Sequence, residues 1–147
     1  MAAPANLPSL FGRFTAILQD HEHLGTTLKQ LRSMCAELDA RPLLPLELSP
    51  PRLLEDLQLD LSQHFAAEEA DGYFGTIADE VPPLLPRIEQ LKSEHAAMLE
   101  AIAMLCQIAA DAALRAELCE RTRELIANLE QHERSESLLL RELFAPR

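Results

Sequence analysis

With 147 residues, the chain is long enough for one compact domain with a buried core, so we expect a single domain over 1–147. Its net charge of −11 disfavours binding to nucleic acids and to anionic membranes, because phosphate contacts need a basic surface. The sequence has no apolar run near the roughly 20 residues of a membrane span. Its start also lacks a signal-peptide pattern, so we expect a cytoplasmic protein.

The composition predicts an all-α protein. The chain has only four glycines, and its ten prolines cluster at a few points between apolar stretches with helical spacing. The three cysteines are odd in number and lack the CxxC spacing of a zinc site. We therefore expect reduced and largely buried thiols at Cys35, Cys106 and Cys119.

The first predicted helix, helix A, begins near Leu7 or Pro8 and ends at about Leu38. Its apolar residues recur every three or four positions. This series predicts an apolar residue at position 21, where the sequence has His21. His23 lies about 200° around the helix from that position. We therefore expect His21 to face the core and His23 to face solvent.

Helix B follows a proline-rich connection over 39–51. Ser49 is a good N-cap, and the two prolines after it suit the first turn of a helix. We expect this helix to end at about Tyr73, where Gly72 and Gly75 help to terminate it.

The apolar stripe of helix B carries two polar side chains. Leu54, Leu57 and Leu61 lie on one face, and the same face continues into His64 and Glu68. An unpaired ionised carboxylate in an apolar interior is very costly, so Glu68 needs a partner. A metal ion shared with other helices is the leading candidate.

Helix C begins after the proline-rich break at 78–86. Its apolar positions run from Ile88 to Ala109, and the one position of this series without an apolar residue is occupied by His95. The turn that follows is weakly marked, with Asp111 as one candidate cap.

Helix D has apolar positions from Leu118 to Leu143. Two steps of its stripe are polar instead, namely His132 and Glu136. Each of the four predicted helices therefore carries one inward-facing histidine, and His23 is the fifth histidine of the chain.

The spacing of these histidines along the chain predicts their depth. In an up-down-up-down bundle, residues at one level are equidistant from the turn that joins their helices. The midpoints between successive inward histidines fall at about 42.5, 79.5 and 113.5, each inside a break assigned from other residues. We therefore predict an antiparallel four-helix bundle in which four imidazoles, Glu68 and Glu136 meet at one level.

Such a set of donors suits two metal ions. Four imidazoles and two carboxylates exceed the four ligands of a structural zinc site. Two metals sharing two bridging carboxylates, with two imidazoles on each, would use all six donors. Imidazole with carboxylate favours iron, with manganese or zinc as alternatives. Ferritin-like Glu-x-x-His pairs are absent from the sequence, and the stretch at 132–136 lacks the second histidine of HExxH.

With these motifs the chain resembles the hemerythrin-like family of HHE cation-binding domains. The matching segments cover nearly the whole chain: QDHEHL around His21, HFAAEE from His64, SEHAAML around His95 and QHERSE from His132. The resemblance implies a hemerythrin-like bundle with a non-haem di-iron centre, bridged by oxo or hydroxo. It also implies histidine terminal ligands and glutamate bridges at His21, His64, His95, His132, Glu68 and Glu136.

The chain departs from the oxygen-carrying hemerythrins at two positions. The carriers have HxxxH on the third helix, whereas Leu99 stands four residues after His95, and they end with HxxxxD where this chain has HxxxE. The ligand set looks more like hemerythrin-like domains that repair iron centres after nitrosative stress or that sense iron and oxygen. We therefore predict binding or sensing of a small diatomic (oxygen or nitric oxide), or iron handling.

Two alternatives from other classes remain. A di-iron enzyme could use the same site to activate oxygen or peroxide, or to reduce nitric oxide. A helical interaction module would not use the metal at all.

Acidic residues beside the predicted ligands are expected to be peripheral. Glu69 and Glu133 lie one step off the apolar stripes and should be solvated, although Glu69 could also support a metal ligand. Asp20 and Glu94, each just before a histidine, are expected to be exposed. The single tyrosine, Tyr73, is expected to have a structural role.

Overall fold

A computed structural model of the chain describes residues 7–40, 49–70 and 73–144. Within these ranges the structure is all-helical and contains no strand. Its helices are α1 (Leu7–Ala40), α2 (Pro50–Glu69), α3 (Phe74–Glu80), α4 (Leu85–Ile108) and α5 (Arg115–Phe144). The four long helices pack together as a bundle in which α1 and α4 each contact both α2 and α5. No helix in the described ranges has the length and apolar character that crossing a membrane requires.

Three of the predicted helices have the expected extent. Helix A corresponds to α1, helix C to α4 and helix D to α5. Asp111 caps the 3-10 turn between the last two, because its Oδ1 accepts a hydrogen bond of 3.0 Å from the backbone N–H of Ala113. Most of the connection predicted over 39–51 lies outside the described residues.

The start of α2 follows the prediction in position, although its side-chain cap is absent. Ser49 has an extended backbone, and its carbonyl accepts the first helical hydrogen bond from Leu53 at 3.0 Å. The Ser49 side chain makes no capping hydrogen bond. Pro51 at the second helical position has no N–H, so one of the two backbone donors that a serine cap can use is missing.

The predicted end of this helix is wrong. The helix ends at Glu69, four residues before Tyr73, and Gly75 lies inside the short helix α3 rather than at a helix terminus. Tyr73 and Phe74 are almost fully buried, so the chain turns inward to place two aromatic rings in the core. Burying two such side chains stabilises the fold by several kcal/mol, about 1.5–3 for each, and this decides where α2 stops.

Apolar side chains form two separate clusters along the bundle. The larger cluster contains Leu24 to Leu38 of α1 and the facing parts of α2, α4 and α5 up to Phe65, Met98 and Leu129. The smaller cluster is built by Ile17, α3, the start of α4 and the end of α5. In α1, α4 and α5 the predicted ligands lie in sequence between these two clusters, and in α2 they lie at its end beside Phe65 of the larger cluster. The bundle therefore consists of two apolar regions separated by one polar layer.

The packing of α2 gives a test of this core. Leu57 is fully buried in the larger cluster, whereas Leu59 on the same helix is 58% exposed. We expect Leu57→Ala to lower the free energy of unfolding by about 2–5 kcal/mol, because it leaves a cavity. Leu59→Ala should change it by less than about 0.5 kcal/mol. Urea denaturation of the metal-free protein followed by circular dichroism measures both, and equal midpoints for the two variants would contradict this account of the core.

Candidate metal centre

The structure brings the six residues predicted as ligands together in the polar layer. Five are buried, with exposed fractions between 0% and 5%, and one is half-buried: His64, Glu68, His95, His132 and Glu136, and His21 respectively. Their donor atoms form two groups that share Glu68. One contains His21, His64, Glu68 and Glu136, and the other contains Glu68, His95 and His132; within each group all donor atoms lie within 4.8 Å of one another. His23 lies outside, with a 68% exposed side chain, as predicted.

The imidazoles meet in two pairs. His21 Nε2 lies 3.0 Å from His64 Nε2, which joins α1 to α2. His95 Nε2 lies 3.1 Å from His132 Nε2, which joins α4 to α5. Each pair therefore presents two nitrogen atoms to the interior from adjacent helices.

The two carboxylates lie between these pairs. Glu68 Oε1 is 3.2 Å from His64 Nε2 and 3.3 Å from His95 Nε2. Glu136 Oε2 is 3.9 Å from Nε2 of both His21 and His132. Each glutamate thus contacts one histidine of each pair, which is the arrangement that bridging ligands require.

The outer nitrogen of two imidazoles is bound by a further carboxylate. His95 Nδ1 lies 2.8 Å from Glu69 Oε2, and His132 Nδ1 lies 2.8 Å from Glu94 Oε1. A carboxylate only accepts hydrogen bonds, so each ring donates its proton from Nδ1. In the neutral ring the Nε2 atom then carries a lone pair that points into the centre.

Two such lone pairs would repel each other at 3.1 Å unless a proton or a metal ion lay between them. The distance itself suits a cation, because two ligands at right angles with bonds of roughly 2.1 Å are about 3.0 Å apart. Burial adds to this requirement. Both oxygens of Glu68 and Oε2 of Glu136 are inaccessible and have no hydrogen-bond partner among the residues that the structure describes. Since unpaired buried carboxylate oxygens are costly, these donors fit metal ions.

The charges of the two glutamates are strongly coupled. Burial raises the pKa of Glu136 well above its ordinary value, and the neighbouring Glu68 raises it further. Burial also opposes the ionisation of Glu68, but its interactions with Glu136, His64 and His95 outweigh burial and hold its pKa well below the ordinary value. Ionisation of both carboxylates together is therefore disfavoured without a cation, and a bound cation would favour it.

The imidazoles are suited to the same role. Burial and the nearby His64 lower the pKa of His21 to about 4. Burial also lowers the pKa of His132, against the opposing effect of Glu94. Both rings are therefore neutral at physiological pH, which is the form that binds metals.

Two acidic residues near the ligands, Glu94 and Glu133, differ from the prediction. Glu94 was expected to be exposed but is half-buried against His132. Glu69 is exposed as expected, with a 40% exposed side chain, and it also contacts His95 in the supporting role considered for it. Glu133 is half-buried rather than solvated, and burial raises its pKa. Asp20 is exposed as expected, with Oδ2 3.6 Å from His64 Nδ1.

Aromatic residues around the centre could not be placed from the sequence. Tyr73 is buried, and its hydroxyl donates a hydrogen bond of 3.1 Å to Glu136 Oε1. Because Oε1 is occupied, Oε2 is the oxygen of Glu136 that faces the histidines. Phe65 stacks on His95 with ring centroids 3.9 Å apart, and Phe74 lies near the same ring. These rings therefore cover His95 within the buried layer.

The cysteines take no part in the centre. Cys35 and Cys119 are buried and Cys106 is half-buried, and all three are free thiols. Burial, with the neighbouring Cys119, raises the pKa of Cys35 to about 12. The prediction that these thiols are largely buried is therefore confirmed.

No protein-family model, curated protein or solved structure matches this chain. The resemblance to the hemerythrin-like family stays a prediction, and the identity of the metal is open. A metal centre is supported here by the contacts of the chain's own side chains.

The contact between Glu94 and His132 can be tested directly. Glu94→Ala should weaken metal binding by about 10- to 100-fold, because His132 loses the acceptor that fixes its orientation and proton. Glu89→Ala removes an exposed carboxylate from the same helix and serves as the control. Competition with a chromophoric chelator measures both affinities. Equal affinities for the two variants would show that Glu94 does not support the centre.

Proposed function

We propose that this chain is a hemerythrin-like non-haem di-iron protein. In this proposal it binds or senses a small diatomic, oxygen or nitric oxide, or handles iron, in the cytoplasm. The observation that carries the proposal is the pair of facing imidazole nitrogens of His95 and His132, 3.1 Å apart beside two buried carboxylates. Bound metal ions would satisfy all of these donors at once.

The proposed bundle has up-down-up-down connectivity with antiparallel neighbours. Contacts between neighbouring helices support this, because residue numbers rise along one helix as they fall along the next. The contacts of α1 with α5 are His21–Glu136, Arg32–Glu130 and Asp39–Arg123. Those of α4 with α5 are Arg87–Glu142, Glu94–His132 and Met104–Arg121. Those of α2 with α4 are Gln58–Cys106 and Glu69–His95.

The proposed ligand assignment follows the two histidine pairs. His21 and His64 would hold one ion, and His95 and His132 would hold the other. Glu68 and Glu136 lie between the pairs and would hold both ions. Imidazole and carboxylate donors with no thiolate favour iron, and manganese or zinc are the alternatives.

When bound, a pair of iron ions supplies open coordination positions and electrons for a small ligand. The chain contributes the surroundings. Phe65 and Phe74 exclude water, and Tyr73 keeps Glu136 oriented. His21 has an 18% exposed side chain, the most open of the six donors, so a small ligand can approach from the side of α1.

A catalytic role is the second candidate. Two imidazoles and two shared carboxylates give each ion four protein bonds, fewer than the six of an octahedral site, so a substrate can bind directly. Steady-state consumption of oxygen, peroxide or nitric oxide in the presence of a reductant separates catalysis from stoichiometric binding. Turnover well beyond one equivalent would favour the enzyme.

The metal content is the first test. Purified protein reconstituted with ferrous iron under nitrogen should hold about two irons per chain. Glu68→Ala should lose both ions, since Glu68 contacts both histidine pairs, and His64→Ala should lose at least one. His23→Ala is the matched control, because this histidine faces solvent and should leave the iron content unchanged. Wild-type protein that takes up no iron would contradict the proposal.

Thermal stability distinguishes the metal centre from an interaction module that does not use metal. At free metal about 100-fold above its Kd, binding should raise the free energy of unfolding by about 2.7 kcal/mol. We therefore expect the Tm to rise by several degrees on loading and to fall again on chelation. Calorimetry with and without chelator measures this, and an unchanged Tm would favour the module.

A further inference from the structure

A cavity of about 240 Å³ lies in the groove between α1 and α2, on the outer side of the centre. Its lining contains two carboxylates and two imidazoles within a short distance of solvent. The lining residues are Asp20, His23, Leu24, Asp60, Gln63 and His64. These are the side-chain types that bind divalent cations.

His64 forms the boundary between this cavity and the centre. Its Nε2 faces His21 and Glu68, whereas its Nδ1 faces the cavity, 3.6 Å from Asp20 Oδ2. The residue is only 5% exposed, and Nδ1 has no hydrogen-bond partner in the described part of the chain. A buried polar nitrogen is thus directed into a cavity where a cation could bind it.

The outer part of the cavity has a matching pair of donors. His23 Nε2 lies 3.0 Å from Asp60 Oδ2, and the Asp60 side chain is 23% exposed. Asp20 on α1 faces the groove from the side opposite Asp60 on α2, so the groove carries two negative charges. These charges, together with the net charge of −11 on the whole chain, attract cations from solution.

Three other cavities in the described ranges are less suited to this role. Those lined by Met104 and by Arg141 contain none of the six predicted ligands. The cavity between α4 and α5 reaches Glu94, but it is largely apolar and includes Arg87, whose charge opposes a cation. The groove between α1 and α2 is therefore a more favourable route to the centre than these three.

We propose that this cavity is a capture site for a divalent cation such as Fe²⁺. Asp60 and His23 bind the ion first, and it then moves to the centre beside His64. The inference rests on the proposed function, because a capture site needs a metal centre to supply. It concerns the rate of loading, whereas the proposed function concerns the amount of metal held.

The experiment measures how fast metal-free protein takes up Fe²⁺ under nitrogen. The chain has one tyrosine and no tryptophan, so Tyr73 fluorescence reports the arrival of an ion beside Glu136 in stopped flow. The test variants are Asp60→Asn and His23→Gln. Asp56→Asn is the control, since Asp56 is exposed on the same helix one turn away and does not line the cavity. Asp20 is left intact because it faces His64.

We expect Asp60→Asn and His23→Gln each to slow uptake by about three- to tenfold at low Fe²⁺. Asp56→Asn, which removes the same charge, should match the wild-type rate. The final iron content and the Tm of the loaded protein should be the same in all four proteins. Equal rates for Asp60→Asn and Asp56→Asn, with normal final loading, would overturn the capture site and leave the metal centre intact.

Two further outcomes also decide the matter. If Asp60→Asn does not fold, as judged by circular dichroism, His23→Gln alone decides the question against the same control. If the wild-type protein takes up no iron, the proposed function fails and the capture site fails with it.

Discussion

Two carboxylates held together in a dry interior are the constraint on which this structure depends. Glu68 and Glu136 are both fully buried, and three of their four oxygens have no hydrogen-bond partner in the described residues. Like charges at this depth cannot both stay ionised without positive charge between them. The polar layer is therefore stable only with a shared proton or with bound cations, and the facing histidine pairs offer donors that could hold such cations.

The bundle around this layer fixes the donors from both ends and from outside. Apolar clusters lie on either side of the layer along the bundle. In addition, carboxylates on one helix face the outer nitrogen of a histidine on the next. Glu69 of α2 faces His95 of α4, and Glu94 of α4 faces His132 of α5. The orientation of each ring thus depends on its neighbour helix, which couples metal affinity to packing of the whole bundle.

The layer is more open on one side than on the other. His95 and His132 are covered by Phe65 and by the contacts of α4 with α5. His21 is half-buried, and the cavity lined by Asp20 and Asp60 adjoins the pair that it forms with His64. Cations, small ligands and solvent can all approach here, so the two halves of the centre have different access even though their ligands are the same.

Helical periodicity is local, and for this reason the sequence by itself determined which side chains face inward. Steps of three and four residues identified the six donors and separated His21 from His23, and the spacing between breaks predicted their common depth. The contacts made across the bundle could not be read in this way. The hydrogen bond from Tyr73 to Glu136 and the contact of Glu94 with His132 each join residues at least 38 positions apart. The early end of α2 follows from the burial of the aromatic rings after it. Such choices were decided only in the tertiary structure, because the free energy of burying rings and pairing carboxylates exceeds local helix preference.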